Sequence, residues 1–494
     1  MELEPVIGLE IHIQLKTKSK MFCECANIFG DVVPNSATCP ICLGYPGTLP
    51  VPNKQAVEWT HKLGAALNCE LAAKSKFDRK SYFYPDLPKG YQISQYDQPF
   101  CGKGELTITV GGKRRTIGIT RIHLEEDAAK NTHPKGADYT LVDYNRAGTP
   151  LAEMVTEPDL TSPQEAKVFL QELQKIVRAL GISDANMEEG QMRCDANISL
   201  REKGTTALNP KTEVKNINSF RFVERALQYE IERQQKEHAV GNIPRQATRG
   251  FDSEAGTTYE QRTKEEAADY RYFPEPDIPP FVFTEDYFAS TIKQVGELPT
   301  AKKDRFVSQY GLAEEQALLL AAEHELGHVF EDVVSEIEQL EKEQVAIASS
   351  VIPKLVQLTA SIILRELRNI LTAQNLDHAS LKITAENLAE LTNLVHIGTV
   401  GRTSVAKILN EMQRTGGDPD AIIQNLGLEQ VSGEEELEGL VDQVIAENPD
   451  VVEKIQSGKG GAIQFLMGQV MAKSKGKANP QVITELLKKK LTTE

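Results

Sequence analysis

The spacing of apolar residues changes period once along this chain, near residue 296, and that change limits the folds open to it. Before it, apolar and polar residues alternate in short runs. Over residues 6–15, Ile7, Leu9, Ile11, Ile13 and Leu15 fall on one side. Gly8, Glu10, His12 and Gln14 fall on the other, which is the period of two of a half-buried strand. Residues 106–110 and 115–124 flank Gly111-Gly112, a pair free to take the positive φ of a hairpin turn. The second arm sets Ile122 and Leu124 on one face and Arg121, His123 and Glu125 on the other. A helix is expected after Ser162-Pro163-Gln164-Glu165, a capping box with proline in the first turn, and Gly181 ends it. A second helix spans about 220–235. The prolines of 272–280 remove donors and hold that stretch extended, so it reads as the last ordered element of the mixed region.

After residue 296, Ala, Leu, Glu and Gln recur with helical period and few glycines to about 395. A smaller helical tail begins at Gly398, is broken by Gly416-Gly417-Asp418-Pro419, and closes on lysines, among them Lys473, Lys475, Lys477 and Lys488-Lys489-Lys490. The expected class is therefore α+β: a mixed α/β N-terminal domain over 1–295, an all-α helical domain over 296–397 and a small helical tail over 398–494.

The chain has 494 residues and a formal charge of −16, which argues against indiscriminate nucleic-acid binding by bulk charge while leaving room for a local basic patch. No apolar run approaches the roughly 18–20 residues of a membrane span. The start, Met1-Glu2-Leu3-Glu4, lacks the basic character of a signal or transit peptide, so a secreted precursor is not expected. Seven cysteines make a poor disulfide framework for this length, and a reduced, cytoplasmic setting fits them better. Four are crowded as Cys23-x-Cys25-x13-Cys39-x2-Cys42. Two thiol pairs on turns are what tetrahedral Zn²⁺ takes, and with four side chains committed the ion would staple a loop and not catalyse.

His324-Glu325-Leu326-Gly327-His328 is a literal H-E-x-x-H, which on a helix presents two imidazoles and a general base, as in zinc peptidases. The metzincin extension would need a glycine at 331 and a histidine at 334, where the chain has Glu331 and Val334. The acidic surroundings favour a solvated helix over a peptidase. Reactive polar residues are instead concentrated before 290. Glu10 and His12 share a strand face; His123, Glu125, Glu126 and Asp127 end another strand; Glu153, Glu188, Arg193 and Asp195 follow. Carboxylates gathered from separate strands repel one another unless a cation sits among them, and Mg²⁺ with a nucleotide would supply one. There is no Walker-type phosphate loop.

Several long strings carry a resemblance: Val6-Ile7-Gly8-Leu9-Glu10-Ile11-His12, Lys80-Ser81-Tyr82-Phe83-Tyr84-Pro85-Asp86, His123-Leu124-Glu125-Glu126-Asp127, Met187-Glu188-Glu189-Gly190 with Arg193-Cys194-Asp195-Ala196-Asn197, and Tyr270-Arg271-Tyr272-Phe273-Pro274-Glu275-Pro276. Together they resemble the GatB/GatE family of aspartyl/glutamyl-tRNA amidotransferases, and the tail is similar to the family's YqeY-like terminal domain. The resemblance implies a cradle-shaped catalytic domain over 1–295. It implies ATP-dependent activation of the side-chain carboxylate of Glu-tRNA(Gln) or Asp-tRNA(Asn), then amidation with ammonia from a GatA-like glutaminase held by a GatC-like small subunit. On this basis Glu10, His12, Glu125 and Glu153 are the expected Mg²⁺ cluster. Asp127, Glu188, Arg193 and Asp195 are its neighbours, Lys80 and Tyr82 face the aminoacyl end, and Lys473, Lys475 and Lys477 grip the tRNA body. ATP, Mg²⁺ and a structural Zn²⁺ are the implied cofactors.

Overall fold

The alternating first strand, β1 (Leu3–Gln14), lies inside an eight-stranded sheet. The computed structural model describes residues 2–30, 32–134, 136–263, 270–342, 350–376, 378–430, 434–456, 462–474 and 478–491. The chain divides into two units, Met1–Leu298 and Pro299–Glu494.

In the first unit the sheet runs β13 (Thr257–Thr263), β12 (Ala247–Asp252), β11 (Thr212–Ile217), β10 (Met192–Glu202), β1, β9 (Pro150–Thr156), β6 (Lys113–Glu126) and β5 (Gly104–Val110). Neighbours are antiparallel except β11 and β12, which are parallel. Three small sheets complete the unit. β3 (Asp78–Ser81) lies between β4 (Tyr91–Ser94) and β14 (Phe273–Pro274); β2 (Lys74–Ser75) pairs β15 (Phe281–Val282); β7 (Lys130–Thr132) pairs β8 (Leu141–Asp143).

Ile7, Leu9, Ile11 and Ile13 are buried in one apolar cluster with Phe169, Leu170 and Leu173 of α2 (Pro163–Ala179) and Val223 and Leu227 of α3 (Phe220–Ala239). The other face of β1 is thereby left for polar residues. The α2 cap departs in one detail from the expected box. Ser162 Oγ accepts from the Glu165 N–H at 3.2 Å, but the Glu165 carboxylate reaches back to the Thr161 N–H at 2.7 Å and not to that of Ser162.

The 272–280 stretch is not the last element of this unit. β15 and α4 (Glu285–Val295) follow it, and α4 packs on α1 (Lys54–Ala66). The reason is aromatic: Phe283, Tyr287 and Phe288 close over the buried His61 ring of α1 at centroid distances of 4.6, 5.5 and 5.6 Å.

The second unit is helical, as its period indicated: α5 (Pro299–Tyr310), α6 (Glu314–Ala322), α7 (His324–Lys342), α8 (Ile352–Ile362), a π turn at Ile363–Leu367, α9 (Arg368–Gln374), α10 (Ala385–His396), α11 (Val405–Thr415), α12 (Pro419–Leu426), α13 (Glu434–Glu447), α14 (Pro449–Gln456), α15 (Ala462–Lys473) and α16 (Pro480–Leu491). Its apolar residues form two clusters. One runs from Phe306 to Ile423 and the other from Leu437 to Leu491. The boundary expected at 397/398 falls inside the first cluster, because Val405, Ile408, Leu409 and Met412 of α11 are buried with Leu388 and Leu391 of α10. Among the described residues, no helix is long and apolar enough to cross a membrane.

Candidate active site and metal centres

Register builds the site. His12 on β1 stands opposite Glu153 on β9, and Glu153 stands opposite His123 on β6. On its other side His12 faces Arg193 of β10, while Glu10 faces Asp195. Residues opposite one another across antiparallel strands project to the same face, so one rung reads His123–Glu153–His12–Arg193 and the next Arg121–Val155–Glu10–Asp195.

A bulge makes this possible. Ile117, Ile119, Ile122 and Leu124 of β6 are all buried in the core, although the first pair and the second differ in parity. The pairing with β9 slips between Ile119 and Arg121, and the extra residue turns Arg121, His123 and Glu125 to the polar face.

Glu153 Oε2 lies 3.3 Å from His12 Nε2 and 3.3 Å from His123 Nε2. Glu10 is 3.8 Å from His12, and Glu125 is 3.6 Å from His123. Burial alone would raise the Glu153 carboxyl, yet the two imidazoles hold it well below the usual carboxylate range. Burial opposes a charge on His123, but Glu153 and Glu125 lift it to about 9. Glu10 is raised, by burial and by Glu153. Buried His123 Nδ1 has no partner.

Glu10, His12 and Glu153 form one group able to hold a metal ion, and His123, Glu125 and Glu153 form a second that shares Glu153. Three carboxylates are the hard donors Mg²⁺ takes, with the imidazoles as softer neighbours, so this donor set fits a divalent cation.

These groups line a polar cavity of about 990 Å³. All ten residues expected at the catalytic and aminoacyl sites border it. Asp127 is satisfied within the protein, by Gln14 at 2.7 Å and Arg193 at 3.0 Å, so it is a positioning group and not a spare ligand. Asp195 is paired with Lys215 at 2.5 Å. Glu188 stands exposed at the rim. Lys80 sits over the Tyr82 and Tyr270 rings, at 5.9 and 5.1 Å. Burial weakens its charge, but Glu125 and Tyr272 more than restore it.

Sequence reasoning gave no role to His123, Arg121, Lys215, Tyr270 or Tyr272. The parity change in β6 carried the signal for His123 and Arg121. Nothing local points to Tyr270 and Tyr272, which reach the cavity wall from about 190 residues beyond Lys80.

The four clustered cysteines come together with their Sγ atoms all within 4.8 Å of one another, and none is in a disulfide. A tetrahedral Zn²⁺ with bonds of about 2.3 Å needs sulfurs about 3.8 Å apart, so the set fits. The Cys39 N–H donates to Cys42 Sγ at 3.1 Å, the turn geometry expected of a knuckle. The Cys23 thiol beside it draws Cys42 down to about 5, helped by the buried Lys20 ammonium at 3.8 Å.

The H-E-x-x-H lies at the start of α7. Glu325, which would be the base, is 3.3 Å from His378 Nε2, and His328 is exposed. Among the described residues neither belongs to a metal-capable group. Of the tail lysines, Lys473 is paired with Glu447 at 2.7 Å, while Lys475 and Lys477 lie outside the described residues.

A sheet-borne row of acids and imidazoles in a large polar cavity, followed by helical domains, defines a class, and comparison with known proteins agrees with it. Residues 5–289 match the GatB/GatE catalytic domain and residues 344–491 match the GatB domain. The chain belongs to the GatB/GatE family. It is 47% identical over 488 residues to the GatB-type subunit of the aspartyl/glutamyl-tRNA(Asn/Gln) amidotransferase of Thermodesulfovibrio yellowstonii, covering 99% of each chain. It is 48% identical over 493 residues to the same protein of Dehalococcoides mccartyi, again covering 99% of each. With that of Geobacillus kaustophilus it shares 46% over 487 residues, covering 99% of this chain and 98% of the other.

Proposed function

We propose that this chain is the kinase and transamidase subunit of a tRNA-dependent amidotransferase. It would act on the side-chain carboxylate of Glu-tRNA(Gln), Asp-tRNA(Asn) or both. A carboxylate does not yield to ammonia, because its oxide does not leave. ATP bound with Mg²⁺ supplies a γ-phosphoryl group that turns that oxide into phosphate, which ammonia then displaces to give the amide.

The chain's own residues have the remaining tasks. Glu10, Glu125 and Glu153, with His12 beside them, would hold the cation, and the two imidazoles keep Glu153 ionised for that purpose. Lys80 and Tyr82 would receive the aminoacyl end, an ammonium and a phenol facing a carboxylate. The Asp127–Arg193 pair braces the floor of the cavity without adding free charge. The cysteine set would hold a structural Zn²⁺ with no open position, so it stiffens a loop and takes no part in the chemistry.

Among the described residues the cavity wall's one cysteine, Cys194, is buried, with its thiol pushed well above the ordinary range by burial, which suits neither a nucleophile nor a glutaminase. Ammonia is therefore assigned to a GatA-like partner, with a GatC-like small subunit completing the complex.

The observation that carries the reading is the shared rung His123–Glu153–His12 inside the cavity. The test is reconstitution with such partners. Amidation of each misacylated tRNA should require ATP and glutamine, and the chain alone should release no ammonia from glutamine. Binding of tRNA without any tRNA-dependent ATP turnover would make it a scaffold and refute the proposal.

A further inference from the structure

Most cations of the cavity are already engaged. Arg193 is held by Asp127, Lys215 by Asp195 and by Glu213 at 3.3 Å, and Lys80 by aromatic rings, while Lys130 is exposed and hydrated. Arg121 differs. It lines the cavity half-buried, its Nε is buried without a partner, and it forms no ion pair with any described residue. A guanidinium is a rigid fork of five donors, and a buried donor left unmade is costly, so a fold that retains one has a ligand to gain.

The chain also has to break its own alternation to place this residue. Without the bulge between Ile119 and Arg121, the parity of Ile117 and Ile119 would carry Arg121 into the apolar core.

Its surroundings indicate which anion. Arg121 begins the rung Arg121–Val155–Glu10–Asp195, and Lys215, bonded to Asp195, ends it. Two cations thus bound a strip four strands wide, roughly 14 Å across at the usual strand spacing. That strip suits a ligand with several anionic centres better than a single carboxylate. Lys80, the other half-buried cation without an ion pair, lies toward Glu125, at the opposite end of the β6 run from Arg121.

We propose that Arg121 is the receptor for the nucleotide's polyphosphate, gripping a phosphate oxyanion with its forked donors, while Lys80 serves the aminoacyl carboxylate. This rests on the function proposed above and adds which cation serves which reactant.

The experiment uses the reconstituted complex with Arg121→Ala, Arg121→Lys and Lys80→Ala. Steady-state constants for ATP and for aminoacyl-tRNA are measured separately, together with equilibrium binding of a non-hydrolysable ATP analogue. Arg121→Ala should raise the KM for ATP and weaken the analogue about tenfold or more, with the KM for aminoacyl-tRNA little changed. Arg121→Lys should recover only part of the loss, and added guanidinium should restore the Ala variant. Zinc content and the fluorescence of Trp59, the chain's single tryptophan, check the fold of each variant.

A KM effect confined to aminoacyl-tRNA, or analogue binding equal to wild type, would overturn the assignment of Arg121 and leave the functional reading standing. A folded Ala variant with weakened analogue binding and no guanidinium rescue would overturn it too, since the residue would then act only structurally. Absence of ATP-dependent amidation by the wild-type complex would instead defeat the functional reading itself.

Discussion

Replacing His61 by phenylalanine should remove a specific acid sensitivity from the first unit. The ring is fully buried in α1, where Nδ1 meets the Tyr287 hydroxyl at 3.0 Å and Nε2 has no partner. Burial pulls its pKa down from 6.5 to about 4. The folded protein therefore resists a proton that the unfolded chain accepts. Above pH 6.5 neither state is protonated and the group is neutral to stability. As pH falls below 6.5 the unfolded state gains a proton first, and stability drops by about 1.4 kcal/mol per unit until the folded pKa is reached. The whole window is worth about 3 kcal/mol. Carboxylates titrate over the same range, so the quantity to measure is the difference between wild type and His61→Phe. Urea unfolding at pH 7, 6, 5 and 4.5 serves, read by the fluorescence of Trp59, two residues away on the same helix. The variant's stability relative to wild type should climb steadily toward acid on top of a constant offset from the lost Tyr287 bond. A difference that stays flat across this range would refute the argument, and with it the claim that α4 seals the first unit.

Glu153→Gln should keep the fold but cut amidation by a hundredfold or more, because both metal-capable groups lose a charge at once; rates within tenfold of wild type would count against the shared carboxylate. Serine at Cys39 and Cys42 should take zinc from about one ion per chain to none by elemental analysis, whereas alanine at His324 and His328 should leave it unchanged. Gly64→Ala should destabilise the first unit by about 1–3 kcal/mol, since the new Cβ would lie 2.4 Å from buried Cys101 Sγ. Removing 431–494 should weaken tRNA binding while leaving the Phe306–Ile423 cluster folded; removing 398–494 should also open that cluster, visible as early proteolysis, because it takes α11 away.

Local pattern was enough wherever local physics decides the outcome. The alternation of Ile7 to Leu15 places Glu10 and His12 on one face, because successive side chains of a strand must point oppositely. Ser162 and Pro163 start a helix because they satisfy its first free donors. Four thiols at close spacing belong to one centre because the chain between them is too short to part them far. What the chain could not announce was which strands would meet. Glu153 joins His12 and His123 only through a register that pairs three separate strands, with His12 more than a hundred residues from the other two, and a slip of one residue would send its carboxylate into the core. The bulge in β6, the closure of α4 over His61 and the reach of the helical core past residue 398 are likewise settlements between distant apolar surfaces. Periodicity assigns each residue a face; only packing of the whole sheet and its helices decides what that face confronts.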